Sequence, residues 1–202
     1  MRAYRLLLTP MLLLLLATTG CSAFGDKNIE QNYVLSVPDL HISTPSLPLH
    51  LQVMPVDVGP GLDTTRIAFV DNDVQMNYMA DSKWAQPLPE MLQSLWIQAL
   101  KESGIGATVS NDTDAEHADR VIHITADAFN AVRSNGGAIN IRIHYEAIVT
   151  APLTHKVLYV EDSFSEQSIS AVSKADVMKG FNKANMQAMG DLIKKIAIDL
   201  RS

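Results

Sequence analysis

Apolar residues that recur every three or four positions predict a first helix in the middle of the chain. Its stripe is formed by Leu88, Met91, Leu92, Leu95, Trp96, Ala99 and Leu100. Asp81 or Ser82 is expected to cap its start, and Pro87 and Pro89 lie near that start, where a missing backbone N–H costs least. Gly104 is typical of a helix C-terminus. The pattern therefore predicts a helix that ends before Gly104.

A second and longer helix is predicted near the end of the chain. Ser173 and Asp176 match the S-x-x-D capping pattern. The apolar side that follows consists of Val177, Phe181, Ala184, Ala188, Leu192 and Ile196. Gly180 and Gly190 should weaken this helix locally.

Alternating or short apolar runs predict strands before, between and after these helices. The runs cover residues 33–37, 49–56, 66–70, 74–79, 119–132, 138–150 and 157–164. Asp71-Asn72-Asp73 is a hairpin-like turn, and Asn135-Gly136 is a strong hairpin signal. The order strands, helix, strands, helix predicts an α+β fold, with a mixed, largely antiparallel sheet and two main helices packed on one face.

The register of the central hairpin follows from which residues share a face. The inward set is even-numbered in the first strand and odd-numbered in the second, so paired residue numbers should add up to an odd value. A two-residue loop at Asn135-Gly136 makes this value 271. Asp127 would then lie opposite His144, and Phe129 opposite Arg142, and both are favourable pairs.

The first 20 residues have the features of a secretory signal peptide. Arg2 and Arg5 precede an apolar stretch over residues 6–17, which is too short to span a bilayer as a helix. Cys21, the only cysteine, lies where cleavage would expose it. The alternative is a free thiol just past an ordinary cleavage site.

The segment Ala17-Thr18-Thr19-Gly20-Cys21 resembles the bacterial lipobox, although the lipobox usually has Leu or a similar residue where Thr18 stands. The resemblance implies that Cys21 is the lipid attachment site, and Ser22 implies sorting to the periplasmic face of the outer membrane. We therefore expect a signal peptide over 1–20, a lipidated tether over 21–32 and a single domain over 33–202. Several acyl chains would give stable anchoring.

Composition restricts the function more than it identifies it. Of 202 residues, 47% are hydrophobic and 19% charged, and the net charge is −6. Without Arg2 and Arg5, 14 basic residues remain against 22 acidic ones, a net charge of −8. This balance disfavours nucleic-acid binding, and a polybasic membrane patch is absent. One cysteine forms neither a disulfide framework nor a cysteine-cluster metal site.

Known catalytic and cofactor motifs are absent from the sequence, so we expect no enzyme and no cofactor. His123, His144 and Glu146 fall on neighbouring strands and offer a possible metal site, but a solvated polar face is the favoured interpretation. The methionines of the last helix are also open to two interpretations, a lipid-contacting groove or ordinary core packing. They are Met178, Met186 and Met189.

Residues 33–100 resemble the ABC-type transport auxiliary lipoproteins. The resemblance rests on Tyr33-Val34-Leu35, Val56, Gly61-Leu62-Asp63-Thr64-Thr65-Arg66-Ile67, Tyr78 and Lys83-Trp84-Ala85-Gln86-Pro87-Leu88. Its sharpest part is the Trp-Ala-x-Pro-Leu entry into the first helix. Lys83, where Arg is commoner, and Ile67-Ala68-Phe69-Val70-Asp71, which lacks the usual basic residue, depart from the family pattern.

The resemblance implies an auxiliary subunit that docks a periplasmic MCE-domain protein of an ABC-type transporter at the outer membrane, so that lipids pass between membranes. Trp84, Pro87 and Leu88 are the candidate partner-binding residues, although Trp84 could simply close the core. A homo-oligomer is expected by analogy. The alternatives are an assembly or plug lipoprotein for an outer-membrane β-barrel protein, and a lipid-anchored hydrolase, for which no nucleophile and base pair is visible.

Overall fold

A mixed sheet and two helices make up the part of the chain that the computed structural model describes, namely residues 30–40, 42, 45–72, 74–111, 118–134, 136–170 and 173–202. Residues 31–202 form one compact unit. The predicted signal peptide and Cys21 lie outside the described residues. None of the helices described here has the length and apolar composition needed to cross a membrane.

Nine strands and two helices are present in the described residues. In chain order they are β1 (Gln31–Tyr33), β2 (Leu47–Val53), β3 (Asp57–Val58), β4 (Arg66–Asp71), β5 (Gln75–Trp84), α1 (Leu88–Ser103), β6 (Gly106–Ser110), β7 (Arg120–Arg133), β8 (Ile139–Thr150), β9 (Val157–Ile169) and α2 (Lys174–Asp199). The predicted α+β class with a mixed, largely antiparallel sheet is confirmed.

The longest strand, β7, organises the sheet. On one side it pairs antiparallel with β8, which pairs antiparallel with β9. On its other side it pairs parallel with β2, β3 and β4, and β4 forms an antiparallel hairpin with β5. The short strands β1 and β6 complete the sheet by parallel pairing with β5 and β2. Strand β9 therefore forms the longest edge of the described sheet.

The two helices follow the predicted stripes, but one predicted cap is wrong. All seven residues of the first stripe are buried in α1, and Gly104 ends the helix in the left-handed conformation with φ 67°. Asp81 and Ser82 do not cap α1, because β5 continues through them to Trp84 and the N-cap is Pro87. Asp81 has φ 53° and lies in an irregular stretch of the β4–β5 pairing, which lets the strand extend further than its alternation indicates.

The predicted cap of α2 is confirmed. The Ser173 hydroxyl accepts a hydrogen bond from the backbone N–H of Asp176 at 3.1 Å. In the β4–β5 turn, Asn72 adopts the left-handed conformation with φ 52°, as the predicted turn requires, while Asp73 lies outside the described residues.

A β-bulge in β7 changes the predicted register of the central hairpin. Beyond the bulge the pairing is as predicted, with Ile122 opposite Val149. Between the bulge and the turn the pairing shifts by one residue, so Phe129 lies opposite Ile143 and not opposite Arg142. The paired residue numbers there no longer add up to an odd value, because an extra residue in one strand exchanges its inward and outward faces.

The bulge accommodates a close approach of another part of the backbone. Gly59 donates its N–H to the Ala126 carbonyl at 2.9 Å. A Cβ at Gly59 would lie only 2.5 Å from the carbonyl oxygen of Asp127. The predicted neighbours Asp127 and His144 still meet across the bulge, with 2.6 Å between Oδ1 and Nδ1.

Tyr145 on β8 connects the sheet to both helices. Its ring packs edge-to-face against Trp96 of α1, with the centroids 5.1 Å apart. Its hydroxyl donates a hydrogen bond of 2.6 Å to Oδ1 of the buried Asn185 on α2. Burial raises the pKa of Tyr145 well above its usual value, so the hydroxyl keeps its proton and remains a donor. Both helices therefore pack on the same sheet face, as predicted.

The segment after β1 runs along α2 instead of extending the strand predicted over 33–37. The Ser36 N–H donates to Asn182 Oδ1 at 2.7 Å, and the Ser36 carbonyl accepts from Asn185 Nδ2 at 3.3 Å. Leu35 is buried, and Leu40 lies beside Gly190. Two asparagines of α2 thus satisfy backbone groups that a sheet would otherwise pair.

The two glycines of α2 should respond oppositely to alanine. A Cβ at Gly180 would lie 2.3 Å from Ile169 Cδ1 and 3.0 Å from Ile141 Cγ1, whereas the nearest atom at Gly190 is at 3.5 Å. We expect Gly190→Ala to stabilise the protein by about 0.5–1 kcal/mol through helix propensity. We expect Gly180→Ala to destabilise it by about 1–2 kcal/mol, because overpacking exceeds that gain.

Urea unfolding monitored by circular dichroism tests this pair. Adding Ile169→Val to Gly180→Ala removes the atom in the closest contact and should restore part of the lost stability. Equal effects of the two alanine substitutions would contradict the packing described here.

Removing either partner of the hydrogen bond between Tyr145 and Asn185 should lower the free energy of unfolding. Tyr145→Phe leaves a buried amide oxygen without its donor, and Asn185→Leu leaves the hydroxyl without its acceptor, at about 1–3 kcal/mol each. The double variant should cost less than the two single costs together, because neither orphaned group remains. Denaturant unfolding of all four proteins gives the coupling energy, and strict additivity would contradict a shared interaction.

The stability of the folded protein should also depend on Tyr145 at alkaline pH. A tyrosine side chain in water has a pKa of about 10, while burial raises the pKa of Tyr145 in the folded state. The unfolded chain therefore loses this proton first, and stability falls above about pH 10 by up to ~1.4 kcal/mol per pH unit. Tyr145→Phe should flatten this fall. The free energy of unfolding is measured in urea between pH 8 and pH 11. If it falls equally steeply with pH in the original protein and in Tyr145→Phe, Tyr145 is not the cause of the fall.

Candidate functional site

The segment from Trp84 to Leu88 is buried at both of its ends. Trp84 is 1% exposed and packs edge-to-face against Phe129 and Phe181, with centroids 5.8 and 5.4 Å away. Leu88 is also 1% exposed, and Pro87 is half-buried. Trp84 was interpreted from the sequence either as a partner-binding residue or as one that closes the core, and its buried position matches the second interpretation.

Backbone hydrogen bonds hold the same segment in place. The Trp84 N–H donates to the Thr65 carbonyl at 2.7 Å, and the Ala85 N–H donates to the Tyr33 carbonyl at 2.8 Å. Ala85 and Gln86 between them are exposed. The side chains that this segment offers to a partner are therefore those of Ala85, Gln86 and part of Pro87.

The sheet face opposite the helices is open and mainly acidic. His144 lies there between two carboxylates, with Nδ1 at 2.6 Å from Asp127 Oδ1 and Nε2 at 3.7 Å from Asp162 Oδ2. Glu146 is on the same face and pairs in register with Asp162, while His123 lies opposite Ile148. No group of three His, Cys, Asp or Glu side chains among the described residues has the arrangement of a metal site.

One imidazole contacts a hydroxyl within the described part of the chain. His50 Nδ1 lies 2.5 Å from Thr108 Oγ1, on the neighbouring parallel strands β2 and β6. Asp119 accepts from the His50 backbone N–H at 2.8 Å. A carboxylate bound to the backbone does not orient the ring, as the third group of a catalytic triad does. The contact therefore has the character of a cross-strand pair.

The outer edge of the sheet exposes large apolar side chains. Val157, Val160 and Phe164 of β9 are 51%, 54% and 54% exposed, and together we call them the β9 surface. Phe164 pairs with His144 and Val160 with Ile148, so both side chains lie on the open face, whereas Ser163 pairs with Tyr145 on the helix face. The sequence predicted this strand but not its position at the edge, which depends on how distant strands pair.

A cleft of about 440 Å³ lies where the β4–β5 hairpin meets the start of α2. The guanidinium of Arg133 lies 4.7 Å from the centre of the Phe69 ring and 3.6 Å from Asp71 Oδ1. Lys174 pairs with Asp81 at 3.6 Å on the rim. Each cation is already neutralised by a neighbour, so the cleft has no free charge of either sign among these four groups.

A groove of about 520 Å³ follows the outer side of α2, next to the start of the folded chain, and we call it the α2 groove. Its apolar lining includes Val34, Met178 and Met186, and its polar lining includes Lys179 and Lys183. Met189, by contrast, is fully buried in the core. Core packing is therefore confirmed for Met178 and Met189, while a lipid contact of the groove that Met178 and Met186 line stays a prediction.

Comparison with known proteins gives a family and a fold. A family model described as ABC-type transport auxiliary lipoprotein component matches residues 33–192. No curated protein matches the sequence. The crystal structure of protein XCC0632 from Xanthomonas campestris is similar with a TM-score of 0.76 at 19% identity, over 85% of this chain and 97% of that chain.

The hypothetical protein CT253 from Chlamydia trachomatis is similar with a TM-score of 0.53 at 9% identity, over 75% of this chain and 96% of that chain. At such identities these structures show a shared fold. The family match covers most of the chain, including the segment from Trp84 to Leu88. The protein therefore belongs to the ABC-type transport auxiliary lipoprotein family.

Proposed function

We propose that this protein is an auxiliary subunit that docks the periplasmic MCE-domain protein of an ABC-type lipid transport system at the outer membrane. Its N-terminal lipid on Cys21 holds it on the periplasmic face of that membrane. Family membership supports the association with an ABC-type transporter. The docking role rests on one observation, the β9 surface.

The β9 surface has the properties of a protein interaction site. β9 is a 13-residue strand that, among the described residues, pairs on one side only, with β8. A long edge strand presents unpaired backbone groups, and natural proteins normally protect such edges with charges, prolines or bulges. On β9, Lys195 Nζ donates to the Asp162 carbonyl at 2.7 Å, whereas Val160 and Phe164 lie exposed beside the edge. An added strand from a partner would satisfy the remaining backbone groups and bury both side chains.

The charges around the β9 surface indicate the kind of partner surface that fits it. Asp127, Glu146 and Asp162 lie on the same sheet face, while Arg142 is paired with Glu166 at 3.3 Å. The mature chain as a whole is also acidic. A partner strand with apolar side chains and flanking lysines or arginines would complement this surface.

In this proposal, the segment from Trp84 to Leu88 acts as a second and smaller contact region. Trp84 and Leu88 position the backbone from within the core, and Pro87 is the N-cap of α1. Partner contacts there would be made by the exposed Ala85 and Gln86. A homo-oligomer, if it forms, would compete for the same edge of β9, because that edge is the longest in the described sheet.

Charge introduced on the β9 surface should abolish docking without unfolding the domain. In the double variant Val160→Glu/Phe164→Glu, two exposed side chains become charges that a docked strand would have to bury. We expect recovery of the MCE-domain protein with the tagged, lipidated protein from crosslinked, detergent-solubilised envelopes to fall at least about tenfold. Val74→Glu, at a position 86% exposed in the β4–β5 turn, is the control for a charge added outside the β9 surface.

The other outcomes have definite meanings. If Val74→Glu reduces recovery as much as the double variant does, the β9 surface is not the docking site. If a β-barrel protein is recovered in place of an MCE-domain protein, the chain is an assembly lipoprotein. Cys21→Ala should reduce recovery while leaving the β9 surface intact, and the absence of that effect would contradict the role of the anchor.

A further inference from the structure

The α2 groove brings together three kinds of side chain that the rest of the described domain leaves uncovered or unpaired. It contains an exposed apolar residue, a methionine lining and two lysines on one helix face. Val34 is 74% exposed, Met186 is half-buried and Met178 is 8% exposed. Isolated exposed apolar residues are normal on protein surfaces, but a groove that groups them with free cations calls for an occupant.

The two lysines differ from the other lysines of α2. The helix carries five lysines, and three of them have acidic partners within 4 Å: Lys174 with Asp81, Lys194 with Asp191 and Lys195 with Glu161. Lys179 and Lys183 have no hydrogen bond or ion pair with another described residue. Their spacing of four positions puts them about 6 Å apart on one side of the helix.

The sign of these charges is opposite to that of the domain. The mature chain has a net charge of −8, whereas α2 has five lysines and three aspartates. Asp176, the acidic residue of the first turn, is engaged by Ser173 at the cap. The α2 groove is therefore a cationic site on an acidic domain, which favours an anionic occupant.

The position of the groove in the chain identifies that occupant. Tyr33 and Val34 line the groove, and they follow directly after the segment that leads from Cys21. Eleven residues, 22–32, separate Cys21 from Tyr33, and they span at most about 36 Å when fully extended. An anchor at Cys21 thus keeps the groove close to the headgroups of the membrane that holds it.

We propose that the α2 groove docks on the surface of an anionic phospholipid bilayer. Lys179 and Lys183 contact lipid phosphates, while Val34 and Met186 enter the boundary between headgroups and acyl chains. This docking uses the proposed attachment at Cys21 but does not require the proposed MCE-domain partner. It orients the domain on the membrane and leaves the β9 surface, on a different face, available to a partner.

A single engineered tryptophan can report this contact. Protein beginning at Cys21 is attached through that thiol, its only one, to a maleimide lipid in vesicles, so the test is independent of acylation in the cell. All the core residues lie between Leu35 and Ala197, so this chain keeps the whole core. Val34→Trp places an indole in the groove, and brominated acyl chains quench it if it enters the bilayer.

We expect strong quenching in vesicles with about 30% phosphatidylglycerol and little in phosphatidylcholine alone, because the surface potential supplies the attraction. Lys179→Gln/Lys183→Gln should lower the ratio of docked to undocked protein about 30-fold in the anionic vesicles. The matched charge control is Lys101→Gln/Lys156→Gln, with the same loss of charge elsewhere. Leu153→Trp, at a position 89% exposed in the β8–β9 turn, is the control for a general approach to the membrane.

Three results would overturn the proposal. They are the absence of quenching at position 34 in anionic vesicles, equal quenching of Leu153→Trp, and equal quenching with and without Lys179 and Lys183. A loss of transporter recovery from the envelope with Lys179→Gln/Lys183→Gln, without any change in quenching, would assign the groove to a protein partner instead. Because the vesicles contain no transporter, failure here leaves the docking role of the β9 surface unaffected.

Discussion

The hydrogen bond between Tyr145 and Asn185 is the interaction on which the arrangement of this fold depends. It joins the middle of β8 to the middle of α2 inside a core where an unpaired polar atom is expensive. The same asparagine accepts that bond and donates to the Ser36 carbonyl, so the start of the folded chain is fixed to the same point. The Tyr145 ring also packs against Trp96 of α1. Four separate parts of the chain are therefore aligned around one polar contact.

Local patterns in the sequence were sufficient for the helices and for the class of the fold. The stripe from Leu88 to Leu100 and the cap at Ser173 depend on neighbours three or four positions away, and both are present in the structure. The predictions for the end of β5 and for the cap of α1 were wrong, because β5 continues beyond Asp81, where Ser82 pairs with β1 and Lys83 pairs with both β1 and β4. Those pairings join residues far apart in the chain, so the alternation of residues within β5 cannot predict them.

The register of the β7–β8 hairpin shows the same limit within a single element. Alternation predicted the pairs beyond the bulge correctly, whereas the pairs near the turn follow a shift that begins where Gly59 approaches the β7 backbone. The candidate surfaces could not be read from the sequence for a related reason. Phe164 and Phe129 are both aromatic residues in strands, but Phe164 lies on the open face, whereas the bulge in β7 turns Phe129 to the helix face, where it is buried.

The attachment of the N-terminal segment to the fold has a mechanical consequence. Strand β1 has only three residues, but Leu35 is buried two positions after it and Ser36 is hydrogen-bonded to two asparagines of α2. A pull on the chain ahead of Gln31 therefore meets the β1–β5 pairing first and the Ser36 bonds next. These two sets of bonds lead to different elements, β5 and α2, so the chain ahead of Gln31 is held by two parts of the core and not by a single strand end.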